Sequence, residues 1–261
     1  ESFREEIATG ALTALMRGCD TVFNLAANAD MARAATEPSL DFWQGTHLTQ
    51  IVLEAMRETG AKRLFYTSGS GVYGDCGDQR VNEEMPVRPI SPYGASKASS
   101  EAMIHAYSAM FGIKASIFRF ANVVGPRQTH GVAYEFIRKL KADPEKLQIL
   151  GDGNQSKSYV HVSDVLNAVM LVAEKQTATC EVWNVATRDW IKVNEIAALV
   201  VASLSLVFKQ PDITYTGGPV GWKGDVPVTR FDCRKIEALG WKPEHSSGSA
   251  VFHSILAMVR E

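Results

Sequence analysis

The chain of 261 residues is 46% hydrophobic and 21% charged, with a formal net charge of −2. This composition allows a sizeable core, and no Lys/Arg cluster interleaved with aromatic residues points to nucleic acid as a partner. The four cysteines are widely spaced and no apolar run approaches the roughly 18 residues of a membrane span, so we expect a soluble protein of the reducing cytoplasm with no metal site, disulfide framework or membrane segment.

Short apolar strands alternate with helical patterns over the first 126 residues. The predicted elements are a strand at 21–27, a helix from about 40 to 59, a strand at 63–68, a polar loop, a helix from about 93 to 111 and a strand at 115–122. This alternation predicts an α/β fold, a doubly wound parallel sheet with helices on both faces. Ligands bind beyond the carboxyl ends of the strands in such sheets.

The second half of the chain is more irregular. It contains a predicted helix at 132–140, a strand at 147–150, a turn at 151–154, a strand at 158–162, and closing helices at about 232–239 and 249–259. We expect residues 127–261 to form mainly a smaller lobe over the ligand end of the sheet, with segments at about 158–187 returning to it.

A glycine motif lies at the end of the second predicted strand. Gly69, Gly71 and Gly74, in the stretch Thr67–Asp75 (TSGSGVYGD), have the spacing G-x-G-x-x-G of a phosphate-binding loop. Such a loop must open a helix, whose N-terminal amides hold the phosphates. A polar run rich in turn residues follows instead, so the phosphate loop is disfavoured, and a flexible loop at the strand end remains the simpler interpretation.

Tyr93 and Lys97 are spaced i, i+4 at the start of the next predicted helix, so their side chains share one face. A nearby ammonium favours the phenolate, and we expect it to lower the pKa of the tyrosine from about 10 toward that of a usable acid/base. The alternative is an ordinary pair on a helix surface.

Taken together, the motifs resemble an extended short-chain dehydrogenase/reductase of the sugar-nucleotide epimerase/dehydratase family, around UDP-glucose (UDP-galactose) 4-epimerase. The pieces that carry this resemblance occur in family order: NLAA at 24–27, TSGSGVYG at 67–74, SPYGASK at 91–97, FRFANVVGP at 118–126, GDGNQSKSYVH at 151–161 and GWKGDVP at 221–227.

The resemblance implies an NAD-dependent enzyme with a UDP-sugar substrate. Tyr93 would take the proton of a sugar hydroxyl while hydride passes to the cofactor, giving a 4-keto sugar that turns over and is reduced on its other face. Residues 1–126 would then be the remainder of an NAD-binding Rossmann-like domain, and residues 127–261 mainly a substrate-binding lobe. A homodimer through the helices at 40–60 and 93–112 is also implied.

The resemblance assigns further residues to the site. The cofactor would contact Leu25, Ala26, Ala27, Thr67, Tyr93, Lys97 and Phe120; the substrate would contact Asn122, Thr129, His130, Lys157, Lys223, Asp225 and Thr229. The position of Thr229 limits sugar size in the family, and its small side chain predicts that an N-acetylated sugar enters.

The chain departs from the family at the strand end. The family's catalytic Ser or Thr is Gly69 here, so Ser68 or Ser70 would have to supply the hydroxyl through a local bulge or turn. Losing that hydrogen bond would lower the rate roughly 10-fold to 1000-fold. Dehydratases of the family carry an Asp-Glu pair where Ser70 and Gly71 stand, which disfavours dehydration.

Other departures concern the diphosphate and the cofactor. Val220 replaces an Arg of close relatives, with Lys223 or Arg230 as a substitute point charge, and Gly45 replaces an Asn, which should loosen cofactor contact. The family's opening strand and T-G-G-x-G-x-x-G loop are not in this sequence, so we expect the isolated chain to bind NAD poorly. The alternatives that stay open are another nucleotide-sugar reductase or decarboxylase, and a catalytically weak homologue that only binds a nucleotide sugar or a partner.

Overall fold

The computed structural model describes residues 10–28, 33–34, 36–204, 210–222 and 224–260. The chain divides into two compact units. The first comprises Glu1–Gly74, Met85–Arg119 and Leu171–Trp183, and the second comprises Asp75–Glu84, Phe120–Met170 and Asn184–Glu261. The assignment of cofactor to residues 1–126 and of substrate to residues 127–261 stays a prediction.

The secondary structure within these residues is mixed α and β. The strands are β1 (Thr21–Asn24), β2 (Arg63–Gly69), β3 (Arg80–Val81), β4 (Lys114–Phe120), β5 (Asn122–Val124), β6 (Lys146–Ile149), β7 (Ser156–Lys157), β8 (Tyr159–His161), β9 (Cys180–Val185), β10 (Ile191–Lys192), β11 (Asp212–Tyr215) and β12 (Arg230–Phe231). The helices are α1 (10–16), α2 (Ser39–Asp41), α3 (Leu48–Thr59), α4 (Pro92–Phe111), α5 (Val132–Ala142), α6 (Val162–Lys175), α7 (Val193–Leu204), α8 (Arg234–Ala238) and α9 (Ser247–Arg260). A π-helix, Phe42–His47, joins α2 to α3, and a 3-10 turn, Ser70–Val72, follows β2.

The central sheet has the strand order β1-β2-β4-β9. β1 and β2 are parallel, with Thr21 opposite Arg63 and Asn24 opposite Tyr66. The predicted α/β class with a parallel sheet is confirmed. β1 ends three residues earlier than predicted, because the Asn24 side chain accepts a hydrogen bond from the Ala26 amide at 3.3 Å and turns the chain out of the strand.

The core of the first unit lies between the sheet and the helices α3 and α4. Apolar residues at helical spacing on α3, such as Leu53 and Met56, are fully buried against the strand residues Leu64 and Ile117 and against Ile104 of α4. Both long helices end at a left-handed glycine, as the sequence predicts.

The second unit contains short strand pairs around a helical core. β5 pairs with β8, β6 with β11, and β3 with β12, all parallel, whereas β7 and β10 are antiparallel. Apolar residues of α5, α7 and α9 form its core. Sequence periodicity did not assign α7, because the nearly continuous apolar run within it hides the helical repeat.

Across the described ranges, no helix combines the length and hydropathy that a membrane crossing requires. The same residues contain no group of three or more His, Cys, Asp or Glu side chains arranged to hold a metal ion. The four cysteines, all within the described ranges, form no disulfide bond.

Candidate active site

The glycine motif after β2 opens no helix. The 3-10 turn Ser70–Val72 follows β2, and no helix begins at Gly74. A side chain at Gly94, in the first turn of α4, would overlap the Gly71 carbonyl oxygen, and a side chain at Gly74 (φ 72°) would overlap the carbonyl of Arg88. The strand end and the start of α4 therefore approach closely at Gly94, and the motif lacks the helix that a phosphate loop requires.

The first turn of α4 is fixed by local sequence. The Ser91 hydroxyl accepts a hydrogen bond from the Gly94 amide at 3.1 Å, and Pro92 occupies the first helical position. Tyr93 and Lys97 follow on the face that meets β2. Lys97 is buried, and its Nζ donates to the Thr67 carbonyl oxygen at 2.6 Å while lying 5.8 Å from the centre of the Tyr93 ring.

The pKa of Tyr93 is not lowered, contrary to the sequence prediction. Burial raises the pKa of Tyr93 to about 12, and the negative charge of Asp41 adds to the rise. Burial lowers the pKa of Lys97 to about 8, against the charge of Glu101. The dominant cause is the desolvation of the phenol, whereas the Lys97 ammonium is engaged by the Thr67 carbonyl oxygen.

Asp41 is a residue that sequence reasoning missed. Its side chain is 2% exposed, Oδ1 accepts from Asn28 Nδ2 at 2.8 Å, and Oδ2 has no hydrogen-bond partner within the described residues. Its carbonyl oxygen accepts from the Ser96 hydroxyl at 2.6 Å, which attaches α2 to α4. An Asp at the start of an amphipathic helix resembles an ordinary first-turn acid, so no sequence signal marked it.

The glycine at position 45 is explained by the position of the Ser96 side chain. A side chain there would overlap the Ser96 hydroxyl, which also accepts a hydrogen bond from the Thr46 amide at 3.0 Å. The π-helix is therefore held against α4 by Ser96, in space that an Asn at position 45 would need. The predicted loosening of cofactor contact by Gly45 stays a prediction.

The two serine candidates differ in environment. Ser68 is buried, and its hydroxyl donates to Glu101 Oε1 at 2.5 Å, so it is engaged away from a substrate. Ser70 is half-buried in the 3-10 turn, and its hydroxyl forms no hydrogen bond with any described residue. Because the Ser68 hydroxyl is engaged with Glu101 of α4, Ser70 is the better candidate, and the catalytic roles of both serines stay predictions.

Glu101 and Arg119, also missed from the sequence, form an ion pair beneath this strand end. The Arg119 Nη2 lies 2.6 Å from Glu101 Oε2, and both side chains are 5% exposed. An isolated Glu and an isolated Arg far apart in the chain give no sequence signal for such a pair.

The end of β1 supplies the candidate cofactor contacts in the same unit. Leu25 and Ala26 are exposed, Ala27 is half-buried, and the side-chain amide nitrogen of Asn24 is buried with no partner among the residues described. The Thr67 hydroxyl lies 3.5 Å from the Asn24 carbonyl oxygen, since β1 and β2 are adjacent. Exposed apolar residues next to the unpaired donor of Asn24 suit the ring and ribose hydroxyls of NAD.

The candidate substrate residues of the second unit form two groups. Lys157 Nζ is 2.6 Å from Asp225 Oδ1, and Asp225 Oδ2 accepts from the Gly221 amide at 3.2 Å. Asn122 is half-buried beside Tyr159, to which it is hydrogen-bonded.

The remaining candidates in that unit differ in exposure. Thr129 and His130 are exposed, Thr229 is half-buried with its amide 3.4 Å from the Ser156 carbonyl oxygen, and Phe120 is buried. Lys223 lies outside the described residues.

Arg230 is not the substitute point charge that the sequence suggested. It is 8% exposed, donates to Ser156 Oγ at 2.7 Å and to the Ser156 carbonyl, and stacks at 4.0 Å from the centre of the Trp190 ring. Its guanidinium is held by the protein and is not available in the way that a surface lysine is.

A parallel α/β sheet, with a buried lysine one turn after a tyrosine at the start of the helix facing the strand end, defines a protein of the short-chain dehydrogenase/reductase type. Residues 7–186 match the profile of the NAD dependent epimerase/dehydratase family, and the chain belongs to this family. The predicted family and the predicted cofactor, NAD, are confirmed.

Several named proteins are similar to this chain. The putative UDP-glucose 4-epimerase of Methanocaldococcus jannaschii is 32% identical over 86% of this chain and 72% of its own length. A crystal structure of a UDP-galactose 4-epimerase is 35% identical with a TM-score of 0.85, covering 95% of this chain and 82% of that one. The Thermus thermophilus UDP-glucose 4-epimerase in complex with NAD is 28% identical with a TM-score of 0.84, covering 98% and 82%.

Proposed function

We propose that the protein interconverts UDP-sugars that differ in configuration at carbon 4. The observation that carries this proposal is the pairing of Tyr93 with the buried Lys97 at the start of α4, where Lys97 Nζ reaches the end of β2 through the Thr67 carbonyl. Among relatives of this chain, those named 4-epimerases support the choice of reaction. The absence of an Asp-Glu pair at Ser70 and Gly71 disfavours a dehydratase.

The chain's own residues would move one proton in each direction. Tyr93 would accept the proton of the carbon-4 hydroxyl when that carbon is oxidised to a ketone. After the keto sugar has turned over, Tyr93 would return the proton to the ketone oxygen when the carbon is reduced on its opposite face. When bound, NAD supplies the hydride acceptor and donor, so no net oxidation occurs.

In the protein alone, Tyr93 is protonated, which fits its role as proton donor in the second step of the proposed reaction. A pKa of about 12 keeps the phenol protonated at neutral pH, as a proton donor requires. The first step requires the phenolate, which burial and the charge of Asp41 disfavour in the protein alone. Ser70 is the proposed hydroxyl donor to the reacting oxygen, in place of the family's residue at Gly69.

The test is the conversion of UDP-glucose to UDP-galactose by the protein with added NAD. We expect Tyr93→Phe to lower kcat by about 10²-fold to 10⁴-fold. Tyr107→Phe is the matched control, because Tyr107 lies on the same helix with its hydroxyl bonded to Glu54. The proposal is wrong if wild-type protein that retains NAD converts no UDP-sugar, or if the two variants have equal activity.

Sugar size is a second prediction of this proposal. Thr229 is half-buried and small, and we propose that it admits an N-acetyl group. Comparison of kcat/KM for UDP-glucose and UDP-N-acetylglucosamine tests this, with comparable values expected. A much lower value for the acetylated sugar in the wild type that Thr229→Gly relieves would show that residue 229 excludes it.

A catalytically weak homologue is the second candidate, and one observation favours it. Gly69 has no hydroxyl and that of Ser68 is engaged with Glu101, so fewer donors reach the reacting oxygen. A protein that only binds would leave the absorbance of the reduced nicotinamide unchanged when a UDP-sugar is added, whereas a working enzyme would raise it.

A further inference from the structure

Two side chains of α4, one helical turn apart, hold two consecutive residues at the end of β2. Lys97 Nζ donates to the Thr67 carbonyl oxygen at 2.6 Å, and Glu101 Oε1 accepts from the Ser68 hydroxyl at 2.5 Å. With Tyr93, these residues are spaced i, i+4, i+8 and share one face of the helix. The position of Lys97 and that of the strand end are therefore fixed by the same helix face.

A second strand, β4, supports this arrangement. Arg119 of β4 contacts both carboxylate oxygens of Glu101, with Nε at 3.1 and 3.2 Å and Nη2 at 2.6 Å, and its guanidinium lies 4.8 Å from the centre of the Tyr73 ring. Taking such a pair out of water costs several kcal/mol per ion, and well-packed apolar residues often stabilise a fold equally well. Stability alone is therefore a poor reason for this pair.

Glu101 lies one helical turn after Lys97 on the same face of α4, and its charge acts on that lysine. The other titratable groups around Lys97 are Tyr66 of β2, whose ring centre is 4.9 Å from Nζ, and Tyr93, with Asp41 acting on Tyr93 and Arg119 acting on Glu101. Burial lowers the pKa of Lys97 to about 8, and Glu101 opposes that change. Without this carboxylate, the buried ammonium would lose the one charge that opposes its desolvation.

We propose that Glu101 is a positioning residue for the Tyr93–Lys97 pair: it fixes the end of β2 on α4 through Ser68 and supplies the negative charge that keeps Lys97 an ammonium. Its effect on catalysis rests on the proposed function, whereas its effect on Lys97 does not. The first measurement therefore uses the protein without substrate.

That measurement is competitive acylation of the lysines over about pH 6 to 10, read for each residue by peptide mass spectrometry. Glu101→Gln should shift the half-point of Lys97 modification to lower pH by at least about one unit, because the charge that opposes desolvation is lost. The double variant Glu101→Gln/Arg119→Leu removes both buried charges and should shift it in the same direction. It guards against misfolding of the single variant, which leaves Arg119 without a partner.

The proposed attachment of β2 to α4 through Ser68 is tested by Ser68→Ala, with Ser116→Ala as the matched control. Both serines are buried strand residues that donate to a side-chain oxygen, and Ser116 bonds Gln176 at 2.7 Å, away from α4. We expect both variants to lose some stability. Only Ser68→Ala should lower kcat, by about tenfold with KM little changed, since the strand end that holds Lys97 is loosened.

The outcomes separate the two proposals. An unchanged Lys97 half-point in both Glu101 variants, or equal kcat in the two serine variants, would overturn the positioning role and leave the ion pair as structure only. If the wild type converts no UDP-sugar but the Lys97 half-point shifts as expected, the proposed function fails and the charge effect of Glu101 stands.

Discussion

At the scale of single residues, the site is defined by buried charges that do not fully compensate one another. Four charged residues are at most 5% exposed: Lys97, Asp41, Glu101 and Arg119. Among these four, Glu101 and Arg119 form an ion pair with each other. Asp41 stands out because one of its carboxylate oxygens has no partner within the described part of the chain. Its charge acts on Tyr93, the proposed acid/base.

Asp41→Asn should lower the pKa of Tyr93 from about 12, because a negative neighbour disfavours the phenolate and the amide removes it. The amide oxygen can still accept from Asn28, so the packing is retained. Phenolate absorbance, taken as the difference from Tyr93→Phe in the same background, should be larger in Asp41→Asn than in the wild type near about pH 11. Asp20→Asn, at an exposed position of the same unit, should leave it unchanged; equal absorbance in all three proteins would contradict the effect.

At the scale of elements, the start of α4 is fixed by close contacts between backbones. Gly94 meets the 3-10 turn after β2, and Ser96 meets the π-helix at Gly45. Tyr93 directly precedes Gly94, and Lys97 directly follows Ser96. The positions of the two side chains therefore depend on packing at residues that take no part in the proposed reaction.

Gly94→Ala tests this dependence, with Gly71→Ala as the control on the facing element. A Cβ at position 94 would overlap the Gly71 carbonyl oxygen and reach Pro89 Cβ at 3.0 Å, whereas a Cβ at position 71 would find its nearest neighbour, Gly94 Cα, at 3.5 Å. We expect Gly94→Ala to lower the free energy of unfolding by about 1–3 kcal/mol and to reduce kcat, since the turn bearing Tyr93 must shift. Gly71→Ala should change both far less. Urea unfolding and the epimerase assay measure these effects, and equal losses in the two variants would refute the close-packing argument.

The sequence was sufficient for the main elements of the first 126 residues and for the spacing of Tyr93 and Lys97, because alternation, the i, i+4 spacing and the glycine stops at Gly60 and Gly112 are local signals. It was insufficient for Asp41 and for the Glu101–Arg119 pair, because their partners come from separate elements. The direction of the Tyr93 pKa was mispredicted for the same reason: desolvation depends on the packed surroundings, and spacing reports only the neighbouring charge.

At the scale of the whole molecule, α4 presents a face suited to another helix. Its only Lys, Arg, Asp or Glu residues are Lys97 and Glu101, and both are buried. Most of its exposed positions are small or apolar: Ala95, Ser99, Ala102, Ala106, Ala109 and Met110. Phe42 and Trp43 of the π-helix are also exposed, at 49% and 43%. Small residues let helix backbones approach closely, so we propose a homodimer in which this face meets its copy around a two-fold axis.

Ala106→Arg should convert this dimer to a monomer, because it places a long charged side chain where two helices approach. Ala142→Arg is the matched control: it is also an exposed helical alanine, but it lies at the end of α5 in the other unit, where a cation suits the helix terminus. Light scattering after size exclusion should give a dimer mass for the wild type and Ala142→Arg and a monomer mass for Ala106→Arg. A wild-type monomer at micromolar concentration would refute the dimer. An Ala106→Arg variant that stays dimeric would place the interface elsewhere. Because α4 carries both this face and the Tyr93–Lys97 pair, loss of the dimer should also lower kcat, which the epimerase assay of the same samples would detect.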